Sequence, residues 1–395
     1  MRTYLLAVTC AILALSAAAT NAATYKIRDL GVEPVQYLDQ EYEVDLRINN
    51  AGCIAGAYTP LANPRVRRCF IWRDGVVTAL APTDLTRNVF TLTGMNAKGE
   101  ISGYCRARVV DMLGTVAASW QPSDPIVPQL RSFASGIGLL GRAVAVNDKG
   151  WIAINESTNV EPAKTITYQD RGAIFKDGKL RYLQVPKGYR YASVVSVNNS
   201  GQVIGYCVKN NKKSRDESSA YLWQNGEAIN LGSLPGCYST VPICINDKGQ
   251  IVCESLSEAG RKWFLWSNGK ITPIEITGPV ISILGIDNEG KVLLGSHYGW
   301  AGMWQDSKIT IFKPNGLPPW KATAMNAKSR IAGTILYDNS THACTFDNGM
   351  LTDLGTLEGG KNSLAFAIND NGTIVGISDA ADMQFHVVIW EKVSD

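Results

Sequence analysis

Short runs of apolar residues, many alternating with small or polar ones, break off eight times along this chain at a polar tetrad and then resume. Val144-Ala145-Val146 precedes one tetrad and Ile374-Val375-Gly376 follows another, and such runs on both sides of a turn mark paired strands. Six tetrads read Asn-x-x-Gly: Asn49 to Gly52, Asn96 to Gly99, Asn147 to Gly150, Asn198 to Gly201, Asn246 to Gly249 and Asn369 to Gly372. Two are altered. Asp287 replaces Asn with Gly290 kept, and Asn326 is kept with Ser329 in place of Gly. The anchors are spaced by 47, 51, 51, 48, 41, 39 and 43 residues, and each opens a unit, numbered one to eight below. An Asn side chain can bond the backbone two residues on and Gly can take positive φ, so the tetrad predicts a hairpin turn between strands a and b.

Further on, every unit has an aromatic slot, filled by Trp72, Trp120, Phe175, Trp223, Trp266, Trp304, Phe346 and Trp390. In five units it leads into Asp-Gly or Asn-Gly, at Asp74, Asp177, Asn225, Asn268 and Asn348, which predicts a second hairpin joining strands c and d. Four strands per unit with no helical period is the pattern of a propeller blade. The expectation is therefore an all-β fold, a single β-propeller of eight four-stranded blades, with seven as the alternative because the second unit is irregular. The last unit lacks a fourth strand, and Tyr25 to Gly31, which match Asp353-Leu354-Gly355, are expected to supply it and close the ring.

Asp353-Leu354-Gly355-Thr356-Leu357-Glu358-Gly359-Gly360, the run Ala365 to Gly376, His342-Ala343-Cys344-Thr345-Phe346 and His386-Val387-Val388-Ile389-Trp390 together resemble the bacterial extracellular HAF repeat. The resemblance extends over nearly all of the chain after residue 22 and is weakest from Gly103 to Ala143. It implies an exported bacterial propeller. It supplies no catalytic residues.

Arg2 followed by the apolar stretch Leu5 to Ala19, with Thr20 and Ala22 ahead of Ala23, reads as a signal peptide over 1–22, leaving 23–395 as the repeat domain in a secreted or periplasmic protein. No later stretch has the apolar length of a membrane span, so no membrane insertion is expected. Lys and Arg total 38 against 35 Asp and Glu, and the clusters at Arg65 to Arg68 and Lys209 to Arg215 are short, the second followed at once by Asp216 and Glu217, which argues against a nucleic-acid partner. Eight cysteines remain after Cys10 leaves with the signal peptide. Export makes disulfides possible, and burial as plain thiols in strands is equally open. No C-x-x-C pair occurs and the histidines are only His297, His342 and His386, so neither a metal nor another cofactor is expected.

Length varies between the first turn and the aromatic slot, from 14 residues in unit six to 25 in unit three, which puts the variable loops on the b-to-c face. Variable loops of a repeat fold commonly form its binding face. Tyr168, His297, Tyr298 and Trp300 are the candidate ligand-binding residues there, able to stack on a sugar or a peptide side chain. His342 and His386 occupy matching repeat positions, which points to a structural hydrogen bond between strands. No nucleophile elbow, zinc-protease motif or phosphate loop is present. The reading is a monomeric binding or scaffold protein for a protein, cell-surface component or glycan. The alternative is an exported hydrolase or lyase that acts on a polysaccharide with loop carboxylates.

Overall fold

The structure is a computed structural model of the 395-residue chain; it describes residues 24–36, 44–63, 66–80, 90–109, 112–121, 129–132, 139–159, 168–209, 217–276, 281–296, 299–312 and 318–394. The expected leader lies outside the described residues. Those residues form 32 strands and no helix. The strands build six four-stranded sheets and one eight-stranded sheet. Five of the four-stranded sheets run a-b-c-d in chain order. In the sixth, unit eight supplies three strands and the N-terminal strand Thr24–Asp29 pairs with its strand c, Phe385–Ser394, in the fourth place. The eight-stranded sheet is units three and four, each internally a-b-c-d, joined by a single parallel bridge between Arg171 and Ala192. This architecture, antiparallel four-strand units packed one after another, is a β-propeller.

Unit two, irregular in sequence, is an ordinary four-strand sheet whose b–c hairpin is long. Register is the same in all eight units. The residue five places after each turn anchor faces the slot aromatic across strands b and c: Ile54 with Trp72, Ile101 with Trp120, Ile152 with Phe175, Val203 with Trp223, Ile251 with Trp266, Val292 with Trp304, Ile331 with Phe346 and Ile374 with Trp390. Cross-strand pairs of an aromatic with a β-branched residue are among the better ones a sheet can make.

The core lies between the sheets. Each of eight apolar clusters joins two consecutive units, and one joins the last to the first, with Val375, Ile377, Val387 and Ile389 against Leu46, Ile54, Phe70 and Trp72. Slot aromatics in these clusters sit against the preceding unit. Trp390, fully buried, packs with Ala332 and Ala343 of unit seven. Burying a side chain of that size is worth roughly 3 kcal/mol, so the sheets hold one another side by side.

In every unit but the first, strand a carries a register shift three residues before the turn anchor, at Thr93, Val144, Val195, Ile243, Leu284, Thr323 and Phe366. A bulge leaves its extra residue out of the ladder and bends the strand. Leu284 and Thr323 are consequently exposed on the innermost strand.

Candidate functional site

The two faces of the disc are built differently. On the a–b face the turn anchors are buried and joined from unit to unit. The Oδ1 of Asn147 accepts the N–H groups of Lys149 and Trp151 at 3.1 and 2.9 Å, as the sequence pattern predicts for the first of them. Its Nδ2 then donates to the carbonyl of Asn198, the anchor of the next unit, at 2.9 Å. The same link runs from Asn49 to Asn96, Asn96 to Asn147, Asn198 to Asn246, Asn246 to Asp287, Asn326 to Asn369 and Asn369 back to Asn49. A second row lies beside it. The N–H of Ala97, Asp148, Asn199, Asp247, Ala327 and Asp370 donates to the side chain of Asp148, Asn199, Asp247, Asn288, Asp370 and Asn50 respectively. Reading the tetrad as a local turn missed this, although the recurrence of Asn where Asp or Gly would also turn the chain was the available signal.

The opposite face carries the b–c connections. Regions expected to be loops in units two and three are largely strand. Ile101–Val109 and Met112–Gln121 stay paired out to Val109 and Met112, and Ile152–Asn159 and Tyr168–Lys176 stay paired out to Asn159 and Tyr168. Strands b and c of unit six, by contrast, are five residues each. Among the described residues, units two and three therefore have longer b–c strand pairs than unit six.

Around this face, carboxylates meet aromatic and cationic side chains. In unit one Tyr58 donates to Glu33 at 2.8 Å and Arg68 also bonds Glu33; burial first, then the Glu33 carboxylate, push the Tyr58 hydroxyl far up. In unit three Tyr182 donates to the buried Glu156 at 2.7 Å, with the Arg171 guanidinium 3.9 Å from the Tyr182 ring centre. In unit five Glu254 accepts from the Trp263 indole at 3.2 Å and pairs with Arg261 at 3.4 Å. In unit seven Asp353 accepts from Tyr337 at 2.9 Å and bonds His342 Nδ1 at 2.8 Å, and desolvation with that carboxylate pushes Tyr337 up to about 12. His386 repeats the motif with Asp29 of the N-terminal strand at 3.1 Å. Both histidines at matching repeat positions thus bond the Asp of an Asp-Leu-Gly run on the neighbouring strand, a hydrogen bond between strands.

Of the four candidate ligand residues, His297 and Tyr298 lie outside the described residues, as does the side chain of Tyr168, whose backbone starts strand c of unit three. Trp300 is half-buried and packs on the cluster of Val252, Val292, Leu294 and Trp304 between units five and six. Its carbonyl accepts the Ser296 N–H at 3.1 Å. That placement gives Trp300 a share in the joint between two sheets.

All eight described cysteines are free thiols, six of them buried. Burial pushes Cys105 up to about 11 and Cys207 and Cys244 up to about 12, so these thiols stay protonated and unreactive at neutral pH. Among the described residues no group of three His, Cys, Asp or Glu side chains is placed to hold a metal ion.

No protein-family model and no curated protein matches the sequence. Among solved structures, acylaminoacyl peptidase of Pyrococcus horikoshii is similar over 85% of this chain and 57% of its own, with a TM-score of 0.52 and 12% identity. This chain thus spans little more than half the length of that peptidase, and the likeness bears on the fold alone. The β-propeller domain of the Trilobed protease from Pyrococcus furiosus is similar over 90% of this chain and 96% of its own, with a TM-score of 0.49 and 10% identity.

Proposed function

We propose that this is a secreted or periplasmic β-propeller of the HAF-repeat kind, eight blades closed by the N-terminal strand, that binds a protein, cell-surface component or glycan through its b–c face. The observation that carries the reading is the asymmetry of the two faces. One is tied down unit by unit through buried anchors, and the other carries longer b–c strand pairs in units two and three than in unit six, beside exposed and half-buried Tyr, Trp, Arg and carboxylate groups. Paired strands present side chains at fixed spacing with little ordering cost, which suits recognition by a rigid scaffold. Aromatic and Arg side chains are also the types that dominate binding energy at interfaces.

The test replaces residues 106–115 and 158–169 separately with two-residue Asn-Gly turns, which keeps Glu156 and Arg171 in place, and measures binding to a glycan array and to intact envelope fragments. Loss of a signal in both variants, with unchanged melting and circular dichroism, is the expected result. Binding that survives both replacements, or release of sugar from a polysaccharide panel by the unaltered protein, overturns the reading.

A further inference from the structure

The joint between units six and seven stands apart. Six of the eight unit-to-unit joints carry both the anchor bond and the second-row bond. The joint between units one and two carries the anchor bond alone, because Ala97 offers no acceptor to Asn50. Between units six and seven neither bond exists. Asp287 has no amide to donate, so the Asn326 carbonyl keeps only the Ser329 N–H of its own turn at 3.0 Å and receives nothing from the preceding unit, whose Asp287 instead takes the Ser329 hydroxyl; Ala327 offers no acceptor to the Asn288 N–H. A cavity of about 360 Å3 opens beside this joint and reaches unit five, lined by Ile245 and Asp247 of unit five, Leu284 and Asn288 of unit six, and Met325 and Ala327 of unit seven among others. A smaller one of about 110 Å3 lies at Ala97, the other joint with an alanine.

From this we propose that the cavity is a binding site for a small molecule carrying an N–H donor and a carbonyl or carboxylate oxygen on a short apolar body, an α-amino acid or its amide. Elsewhere in the ring a side-chain N–H reaches the carbonyl and a side-chain oxygen takes the neighbouring N–H; at the joint of units eight and one these bonds are 3.0 and 2.9 Å, the donor coming from Asn369 of unit eight and the oxygen from Asn50 of unit one. The vacant pair at Asn326 and Asn288 is the same pair of positions, one residue apart in each turn. A ligand with both groups completes the two links while its aliphatic part covers Leu284, Ile286 and Met325. The Asp287 carboxylate, 6% exposed, is itself satisfied, accepting from Glu289 and Lys291 N–H at 2.9 and 2.8 Å and from the Ser329 hydroxyl at 3.1 Å, with Lys291 Nζ on that hydroxyl at 2.9 Å, so the Asn326 carbonyl is left as the acceptor for the ligand's donor.

The experiment is calorimetry and thermal melting of the full chain with L-leucine, L-leucinamide and isovalerate, the last lacking the N–H donor. The expected result is saturable binding of the first two, raising Tm by about 2 °C at ten times Kd, with isovalerate at least tenfold weaker. The variant Asp287→Asn/Ala327→Asp supplies both links from the protein and should no longer bind either. If it does not fold, Leu284→Trp fills the apolar side of the cavity and should have the same consequence. Absence of binding by the unaltered protein up to 20 mM, equal binding of isovalerate, or undiminished binding by a folded filled variant overturns the assignment.

Discussion

The joint between units three and four and the joint between units six and seven solve one problem in opposite ways. At the first, Asn147 and Asp148 make the repeating bonds to unit four, and the connection goes further. The Asn155 side chain bonds both the N–H and the carbonyl of Val194 at 2.7 and 2.8 Å, acting as a piece of strand between two sheets. Gly172 permits the approach, since a Cβ there would lie 2.8 Å from a Val194 methyl, and the two sheets fuse through the Arg171–Ala192 bridge. At the second joint the two altered tetrads of the sequence turn out to be neighbours that complement each other. The Ser329 hydroxyl donates to Asp287 Oδ2 at 3.1 Å and accepts from Lys291 Nζ at 2.9 Å. Alteration of the tetrad is thus local to one joint, where a side-chain bond between the two turns crosses from unit to unit without supplying the Asn326 carbonyl with a donor.

The largest effect should come from deleting a regular anchor. Asn147→Ala removes three hydrogen bonds at a side chain 3% exposed and strands two N–H groups, the Asn198 carbonyl keeping only the Gly201 N–H, so it should cost about 4 kcal/mol in urea unfolding. Asn147→Asp is sharper because it keeps the turn. Its Oδ1 still takes the two N–H groups, but the second oxygen faces the Asn198 carbonyl. The cost should be about 2 kcal/mol, and the tetrad of unit six shows that the turn itself tolerates Asp.

The converse change, Asp287→Asn, should stabilise by about 1 kcal/mol, because it gives the Asn326 carbonyl its missing donor. Its gain should depend on residue 329. With Ser329 present the new amide also has to replace the lost Ser329 bond. Ser329→Gly relieves a left-handed φ of 60° but removes that bond, and so should be nearly neutral alone. A double-mutant cycle on the pair should therefore show coupling of about 0.5 to 1.5 kcal/mol, read from the midpoints of urea transitions. Strict additivity would mean that the two altered tetrads do not compensate each other.

Units, hairpins and cross-strand register were legible because each has a short-range cause: period two, a turn residue with positive φ, an aromatic at fixed offset from its anchor. The fourth strand of unit eight was legible too, since Asp29-Leu30-Gly31 repeats a pattern seen at Asp353, and Leu30 N–H bonds the Val387 carbonyl as Leu354 N–H bonds that of Ala343. What the sequence hid depends on contacts between units. Nothing local says that Asn147 Nδ2 will meet Asn198, or that the turn Gly of one unit is covered by the residue after the turn of the unit before. A Cβ at Gly201 would lie 2.4 Å from the Trp151 ring, so that glycine is required by packing as well as by its φ of 87°. The candidate site was the least legible part. Trp300 was chosen for its type and its place in a variable segment, and its packing, half-buried against the cluster between units five and six, depends on a contact between units that an aromatic beside a turn does not announce.

The smallest effect tests whether the c–d turns follow the same logic as the anchors. Five were predicted from Asp-Gly or Asn-Gly, and in all five both residues have positive φ, as at Asn225 and Gly226 with 54° and 85°. Unit six makes the same turn with Asp306 and Ser307 at 49° and 62°. Its sequence offered no glycine to signal it, so pairing between Ala301–Gln305 and Lys308–Phe312 imposes the turn on a residue that disfavours it. A serine in that region carries a conformational cost that glycine does not, offset in part by the greater freedom of glycine in the unfolded chain. Ser307→Gly should therefore raise stability by about 0.5 kcal/mol, detectable as a small rise in Tm, while Gly226→Ser in unit four should lower it by a similar amount. Since both turns are exposed, unequal magnitudes would show that unit six, already the site of the altered anchor, is held less firmly than unit four.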